Sequence, residues 1–270
     1  MAGGRKYTVL GSTGFIGNHL SAALRARGDF FDTPARGDDG IFTRDLGHVF
    51  YCIGYTADFA KDPAATVEAH AAQLGRILEK ASFDKLVYLS SVRLYDGLLG
   101  AVNAEDRDLV LNPAKPRHLY DLSKALGENL CLNASNSRAC VARLAAVYDA
   151  APDATGFLPE MLHRLRRERR FTMNSDSGTV RDYVTLSDTI AALLVMMDRA
   201  GCEIVNVASG QNVSNREIAD ALNESGCDIT IKRETPRQDL PVNDITKIRQ
   251  WGINPVSVPD YLRAYMKDGV

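Results

Sequence analysis

The chain is poor in almost everything that marks a secreted, membrane-bound or metal-stapled protein. Its 270 residues include five cysteines and a single tryptophan. Cys52, Cys131, Cys140, Cys202 and Cys227 stand in no Cys-x-x-Cys or zinc spacing, so no metal is expected and each reads as a small buried hydrophobe. An odd, scattered set suits a reducing cytoplasm. The longest apolar run, residues 190–197 (IAALLVMM), is far short of a bilayer span. It reads as a core helix capped by Asp188. The opening MAGGRKY lacks the apolar run of a secretory signal, so a cytoplasmic protein is expected. Charge of one sign is lacking too: 32 basic against 34 acidic residues leave −2, which argues against a nucleic-acid or membrane partner. No repeats and no low-complexity linker interrupt the chain.

What the sequence does contain is alternation. Strand-like runs at 6–10, 49–53, 86–90, 140–144 and 203–207 alternate with helical segments at 18–27, 64–80, 120–134 and 188–199. This predicts an α/β fold: a Rossmann-like doubly wound parallel sheet with a smaller C-terminal substrate-binding lobe. Residues 1–150 are the expected dinucleotide-binding domain, with 180–208 returning to it. Residues 151–179 and 209–270, richer in Pro, Arg and Asp, are the expected lobe. A chain of this length can bury a large core in one domain or a domain and a half.

A glycine turn follows the first strand: Gly11, Ser12, Thr13, Gly14, Phe15, Ile16 and Gly17, leading into a helix that Gly28 stops. Strand, glycine turn and helix together make a dinucleotide site credible. Gly11 permits the tight turn, Gly14 lets backbone approach a pyrophosphate, and Gly17 allows close helix packing. The phosphates would lie on the free N–H groups of the helix start. The spacing, G-x-x-G-x-x-G, is one residue wider than the common form. After the second strand an acid holds the ribose hydroxyl of NAD, whereas arginine accommodates the extra phosphate of NADP. The expected position falls near Ala35, next to Arg36; Asp32 comes early, and Asp38 and Asp39 late. NADP is therefore favoured over NAD.

Tyr120 and Lys124 are spaced to share a helix face in HLYDLSKALGENL. A phenol titrates near pH 10, and a proton carrier should titrate near the working pH, a gap of about 4 kcal/mol. A cation within about 4–6 Å supplies much of it. Lys124 is the expected cation, Tyr120 the proton carrier and Ser91 the hydroxyl that holds the substrate oxygen, with Ser90 as its rival. Alternatively, Tyr120 is a half-buried aromatic and Lys124 a solvated charge. Glu128, on the same face, would tether Lys124 or form a surface pair.

These residues carry a resemblance that runs nearly the whole length. GSTGFIG, VYLSSVRLYD at 87–96, YDLSKALGE at 120–128, VARLAAVYD at 141–149, VRDYVTLSD at 180–188, NVASG at 206–210 and DITKIRQWGINP at 244–255 resemble, in order, an extended short-chain dehydrogenase/reductase of the NAD-dependent epimerase/dehydratase type. The resemblance implies Ser91, Tyr120 and Lys124 as catalytic residues, with Tyr120 and Lys124 also touching the cofactor. It implies a substrate-phosphate contact at Arg181 and a homodimer packed through helices 64–80 and 120–134. From the residues alone, Arg181 could instead pair with Asp182 or Asp188. Arg237 is a further candidate for nucleotide phosphates.

The departures are informative. Only about a dozen residues separate Arg36 from the next strand, so a usual strand and helix must be shortened or missing there. Asparagine, frequent in the family, is replaced by His70 and Ala146; His70 reads as a packed or solvated histidine or a second proton carrier. Val92 and Arg93 follow Ser91 where dehydratases of this type have an Asp-Glu pair, which removes the elimination chemistry. Arg164, Arg166, Arg167, Arg169 and Arg170 form either a solvated helix face or a diphosphate clamp. The expected function is hydride transfer to or from a hydroxyl or keto carbon of a nucleotide-activated sugar. The alternatives are an NADPH ketoreductase acting on a smaller metabolite and a non-catalytic dinucleotide sensor.

Overall fold

The computed structural model describes residues 5–56 and 59–268. The chain divides into two compact units: Met1–Gly97 with Glu105–Leu144 and Ile190–Val205, and Leu98–Ala104 with Ala145–Thr189 and Asn206–Val270.

The first unit is built on a six-stranded sheet. Its strands are β1 (Lys6–Leu10), β2 (Phe30–Asp32), β3 (His48–Tyr51), β4 (Lys85–Ser91), β6 (Ala139–Leu144) and β10 (Ile204–Val207), in the order β10-β6-β4-β3-β1-β2. The pairs β1–β2, β1–β3, β3–β4 and β4–β6 are parallel. Strand β4 is buried from Leu86 to Ser91, so its near-continuous apolar run is that of a strand covered on both faces. The edge strand β2 is short and leaves Phe30 largely exposed. Helices α1 (Phe15–Ala26), α2 (Pro63–Val67), α3 (Gln73–Lys80) and α4 (His118–Ala134) supply the crossovers. Leu10, Val49, Leu74, Ile77, Leu86 and Val141 share one core. The short gap after Arg36 holds a single 3-10 turn, Asp39–Phe42, capped by the Asp38 carboxylate accepting from the Gly40 N–H at 2.8 Å.

One irregularity positions the site. Between α2 and α3, Glu68–Ala72 form a π-helical turn. The Tyr51 hydroxyl on β3 donates to the Ala69 carbonyl at 2.7 Å, and the Tyr88 hydroxyl on β4 donates to the His70 carbonyl at 2.9 Å. A single extra residue in a helix displaces carbonyls from their usual i+4 partners; here two tyrosines of the sheet engage them. Helix α4 reaches the same turn because Gly127 faces it: a Cβ there would lie 2.4 Å from the Tyr88 hydroxyl and 2.6 Å from the His70 carbonyl.

The second unit contains β5 (Val102–Asn103) paired in parallel with β13 (Val242–Asn243), and a sheet β11-β9-β7 of Asn212–Ser214, Val180–Thr185 and Ala146–Tyr148. Strand β8 (Arg170–Asp176) pairs with β12 (Asp228–Arg233). Its helices are α5 (Phe157–Glu168), α7 (Asn215–Glu224), α8 (Thr246–Gln250) and α9 (Val258–Asp268); α6 (Leu186–Arg199) begins in it. The bounds differ from the expected ones at four stretches, since residues 98–104, 145–150, 180–189 and 206–208 all lie in this unit. Residues 180–189 belong to this unit, because β9 pairs with β7 and β11. Residues 98–104 join it because β5 pairs with β13. The cap of α6 is also reassigned: the Asp188 N–H donates to Thr185 Oγ1 at 3.0 Å, so Thr185 caps the helix and Asp188 lies in its first turn.

Candidate active site

The glycine turn joins β1 to α1. Gly11 has φ +83°, and a Cβ on it would lie 2.9 Å from the Cys52 carbonyl carbon and the Ile53 nitrogen. Gly17 packs so tightly that a Cβ would meet the Gly11 oxygen at 2.3 Å. Gly14 has only that oxygen nearby, at 3.4 Å. It is the N-cap of α1, with no side-chain cap and no acid in the first turn. The uncapped N–H groups are donors without a protein acceptor of their own, and Thr13 and Gly14 are exposed. A pyrophosphate fits this cradle.

Strand β1 runs parallel to its neighbours, so the turn opens at the strand-end edge of the sheet where β4 also ends. There Ser91 and Ser90 point differently. Ser90 Oγ donates to Glu128 Oε1 at 2.6 Å. Ser91 Oγ accepts from the Arg93 N–H at 3.2 Å, and its hydroxyl favours the ionised form of the Tyr120 phenol. Of the two serines it is Ser91 that acts on Tyr120, since Ser90 is committed to Glu128. Burial raises the Tyr120 pKa above the ordinary phenol value, opposed by the Ser91 hydroxyl and the charge of Arg93. Arg93 lies with Cζ 4.4 Å from the Tyr120 ring centroid and 5.4 Å from that of Phe59.

Lys124 is buried, 4% exposed, with Nζ donating to the Leu89 carbonyl at 2.7 Å and lying 4.9 Å from the centre of the Tyr88 ring. Burial pushes its ammonium down to about 7, against the opposing pull of Glu128. No hydrogen bond joins Lys124 to Tyr120 among the described residues. His70 is fully buried, its Nε2 accepting from the Tyr55 N–H at 3.0 Å. Nδ1 therefore carries the proton and donates to Ser123 Oγ at 2.8 Å; Ser123 in turn donates to the Tyr120 carbonyl at 2.9 Å. Burial and the Lys124 charge push its pKa down to about 3. Neutral and engaged at both nitrogens, His70 is a packed bridge between the loop after β3 and helix α4.

Glu128 does not tether Lys124 by a hydrogen bond. Its carboxylate takes Arg143 Nε at 2.9 Å and Nη2 at 2.7 Å, and the pair is buried. In the second unit, Arg181 is exposed on β9 and pairs with neither Asp182 nor Asp188. The Asp182 carboxylate accepts from Ser209, Gly210 and Asn243, and Asp188 from Thr185 and Val256. Arg237 donates to the Asn212 carbonyl at 2.7 Å and to Glu217 at 3.4 Å. In the arginine cluster, Arg164 pairs with Glu168 and Arg166 stacks on Tyr265. Arg36 is exposed beyond β2, whose last residue is Asp32; Arg44 Nη2 lies 3.2 Å from Asp32 and 2.7 Å from Asp38. Sequence reading missed the stacking of Arg93 on Tyr120 and the Glu128–Arg143 pair. The one local signal was a cationic residue two positions after Ser91.

A model of the NAD dependent epimerase/dehydratase family matches residues 39–208, a range that takes in Ser91, Tyr120, Lys124 and Arg181 and begins after the glycine turn. A curated relative, the putative GDP-L-fucose synthase 2 of Oryza sativa subsp. japonica, is 25% identical over 154 residues. The match takes in 52% of this chain and 44% of the relative, so it spans under half the relative's length. The UDP-glucose 4-epimerase of Thermotoga maritima with UDP-glucose superposes with a TM-score of 0.77 at 20% identity over 97% of both chains. RMD from Pseudomonas aeruginosa complexed with NADPH gives 0.76 at 21% identity over 98% of this chain and 99% of its own. The UDP-glucuronic acid 4-epimerase of Bacillus cereus in complex with NAD gives 0.77 at 20% identity, over 98% and 96%. The Rossmann-like α/β fold expected from the alternation is the fold these structures share.

Proposed function

The chain belongs to the NAD dependent epimerase/dehydratase family, and on that premise we propose that it is an NAD(P)-dependent short-chain dehydrogenase/reductase acting on a nucleotide-activated sugar. The reaction is hydride transfer to or from a hydroxyl or keto carbon, as an epimerase or a keto-sugar reductase. The observation that carries this reading is the turn after β4, where the Arg93 N–H donates to Ser91 Oγ and the Arg93 guanidinium lies over the Tyr120 ring, on the same sheet edge as the glycine turn.

Gly11, Ser12, Thr13, Gly14, Phe15, Ile16 and Gly17 would hold the dinucleotide diphosphate by backbone N–H groups. A bound nicotinamide dinucleotide supplies the hydride acceptor or donor. Tyr120 takes the proton of the substrate hydroxyl as it is oxidised and returns one on reduction. Ser91 orients that oxygen. Lys124, fixed by the Leu89 carbonyl, would hold the ribose. Arg181, without a carboxylate partner among the described residues, and Arg237 are assigned to the nucleotide phosphates.

Three finer points belong to the proposal. NADP is favoured over NAD because Arg44 already engages the carboxylate of Asp32, the acid at the strand end, while Arg36 is exposed. A homodimer through α2–α3 and α4 is supported by Val67, Leu122 and Leu126, large apolar residues exposed on those helices. A reducing cytoplasm suits five cysteines that are all free. The second reading, a ketoreductase of a smaller metabolite, is favoured by one residue: Ala146 starts β7 with no hydrogen-bonding side chain where a sugar contact is expected.

The test is turnover of a panel of UDP- and GDP-linked sugars, with simple ketones alongside, by wild type and Tyr120→Phe. The proposal expects turnover of a nucleotide sugar that falls about 10²–10⁴-fold in the variant while dinucleotide binding survives. Reaction with ketones alone selects the second reading, and undiminished turnover by Tyr120→Phe rejects the proton carrier.

A further inference from the structure

Tyr120 is enclosed by groups from four segments. From the turn after β4 come Ser91, whose hydroxyl favours the phenolate, and Arg93, whose guanidinium lies over the ring at 4.4 Å. From the loop after β3, the Phe59 ring meets it edge-on at 5.5 Å. From the π-helical turn, His70 does the same at 5.2 Å. Its own helix contributes Asp121 and, one turn on, Lys124. Three of these groups carry charge. Lys124 is committed to the Leu89 carbonyl. Asp121 lies 3.4 Å from Arg117, and its charge acts against ionisation of the phenol. His70 is neutral. Arg93 alone sets a positive charge on the ring itself, and it has no carboxylate partner among the described residues. Asp96, its nearest acid in sequence, is taken by Arg117 at 2.8 Å.

The placement is built in. The Arg93 N–H donates to Ser91 Oγ at 3.2 Å, so the turn that carries the serine hydroxyl also lays the guanidinium over Tyr120. The Phe59 ring flanks the same guanidinium at 5.4 Å. A cation over a neutral phenol interacts only with the ring quadrupole, whereas over a phenolate it meets a full negative charge delocalised into the ring. The stacked geometry therefore favours the ionised form over the neutral one.

We propose that Arg93 is a positioning residue for the reaction, the cation that stabilises the Tyr120 phenolate, in the role that the sequence assigns to Lys124. This rests on Tyr120 being the proton carrier, and it moves the tuning charge from helix α4 to the turn after β4. Lys124 is then left to the ribose and to the strand-end carbonyl.

The test is an alkaline tyrosinate titration by ultraviolet difference absorbance, subtracting Tyr120→Phe from its parent so that only Tyr120 is read. It is made in the wild-type, Arg93→Lys and Arg93→Met backgrounds, each checked by circular dichroism and by dinucleotide binding. The expected result is a midpoint about one pH unit higher in Arg93→Met and largely restored in Arg93→Lys. Should Arg93→Met fail to fold, Arg93→Gln, which keeps the polar end without the charge, is expected to give the same rise. An unmoved midpoint in a folded uncharged variant overturns the proposal. No substrate is needed, so a protein whose Tyr120 shifts as expected but that turns over no sugar defeats the functional reading and leaves this one standing.

Discussion

Arg143 on β6 grips Glu128 on α4 with both ends of its guanidinium, Nε to Oε1 at 2.9 Å and Nη2 to Oε2 at 2.7 Å, and Ser90 adds a third donor to the same carboxylate. The pair is buried, with side chains 3% and 5% exposed. Removing one partner leaves the other charged without compensation. Glu128→Ala and Arg143→Ala are each expected to lower stability by about 3–5 kcal/mol, and the double variant to lose less than the two together. Denaturant unfolding of the four proteins measures this; additive losses would mean the two residues act independently.

Lys124 links stability to pH. Its ammonium is held down to about 7 in the folded chain, against about 10.4 when unfolded. Between those values the unfolded chain binds more protons, so stability rises with pH across the window, by up to about 1.4 kcal/mol per unit, and is flat below it. Lys124→Met is expected to remove that slope. Unfolding midpoints in urea from neutral pH to mildly alkaline pH, before tyrosines ionise, provide the check. Equal slopes in the two proteins would show that the lysine is not neutralised by burial.

Dinucleotide choice is a matter of titration. Binding of NADP(H) is expected to exceed that of NAD(H), and Arg36→Ala to weaken NADP(H) by about 10–100-fold, the worth of one charge-assisted hydrogen bond. NAD(H) affinity should stay unchanged. A preference for NAD(H) would return the role to Asp32 despite Arg44.

The glycines separate packing from binding. Gly17→Ala forces a Cβ to 2.3 Å from the Gly11 oxygen and is expected to cost about 1–3 kcal/mol of stability as well as dinucleotide affinity. Gly14→Ala meets its nearest atom at 3.4 Å. It should cost under about 1 kcal/mol as a poorer cap while still lowering affinity. Thermal melts with and without NADP(H) distinguish the two.

The parts of this fold that sequence reveals are those in which each residue's neighbours along the chain decide the outcome. The apolar run of β1, the turn at Gly11 and the helix after Phe15 are of that kind, and so is the count of residues that leaves room only for a 3-10 turn before β3. Ser91, Tyr120 and Lys124 were visible as an ordered set. What stayed hidden depends on groups brought together by the sheet. The π-helical turn is engaged by Tyr51 and Tyr88, from two different strands, and no local pattern announces it. Glu128 looked like a partner for Lys124 because they share a helix, yet Arg143 on the neighbouring strand had the stronger claim. Arg93 reaches Tyr120 from 27 positions away along the sequence, a contact that depends on tertiary packing.

Helix residues advance by about 100° each, so the one-residue surplus in Glu68–Ala72 is an angular offset between α2 and α3. A deletion of a single residue there would straighten the helix and leave its composition almost untouched. It would also swing His70 away from Ser123 and Tyr55 and detach both tyrosine hydroxyls from their carbonyls. For evolution, this stretch should tolerate many exchanges of side chain and almost no change of length.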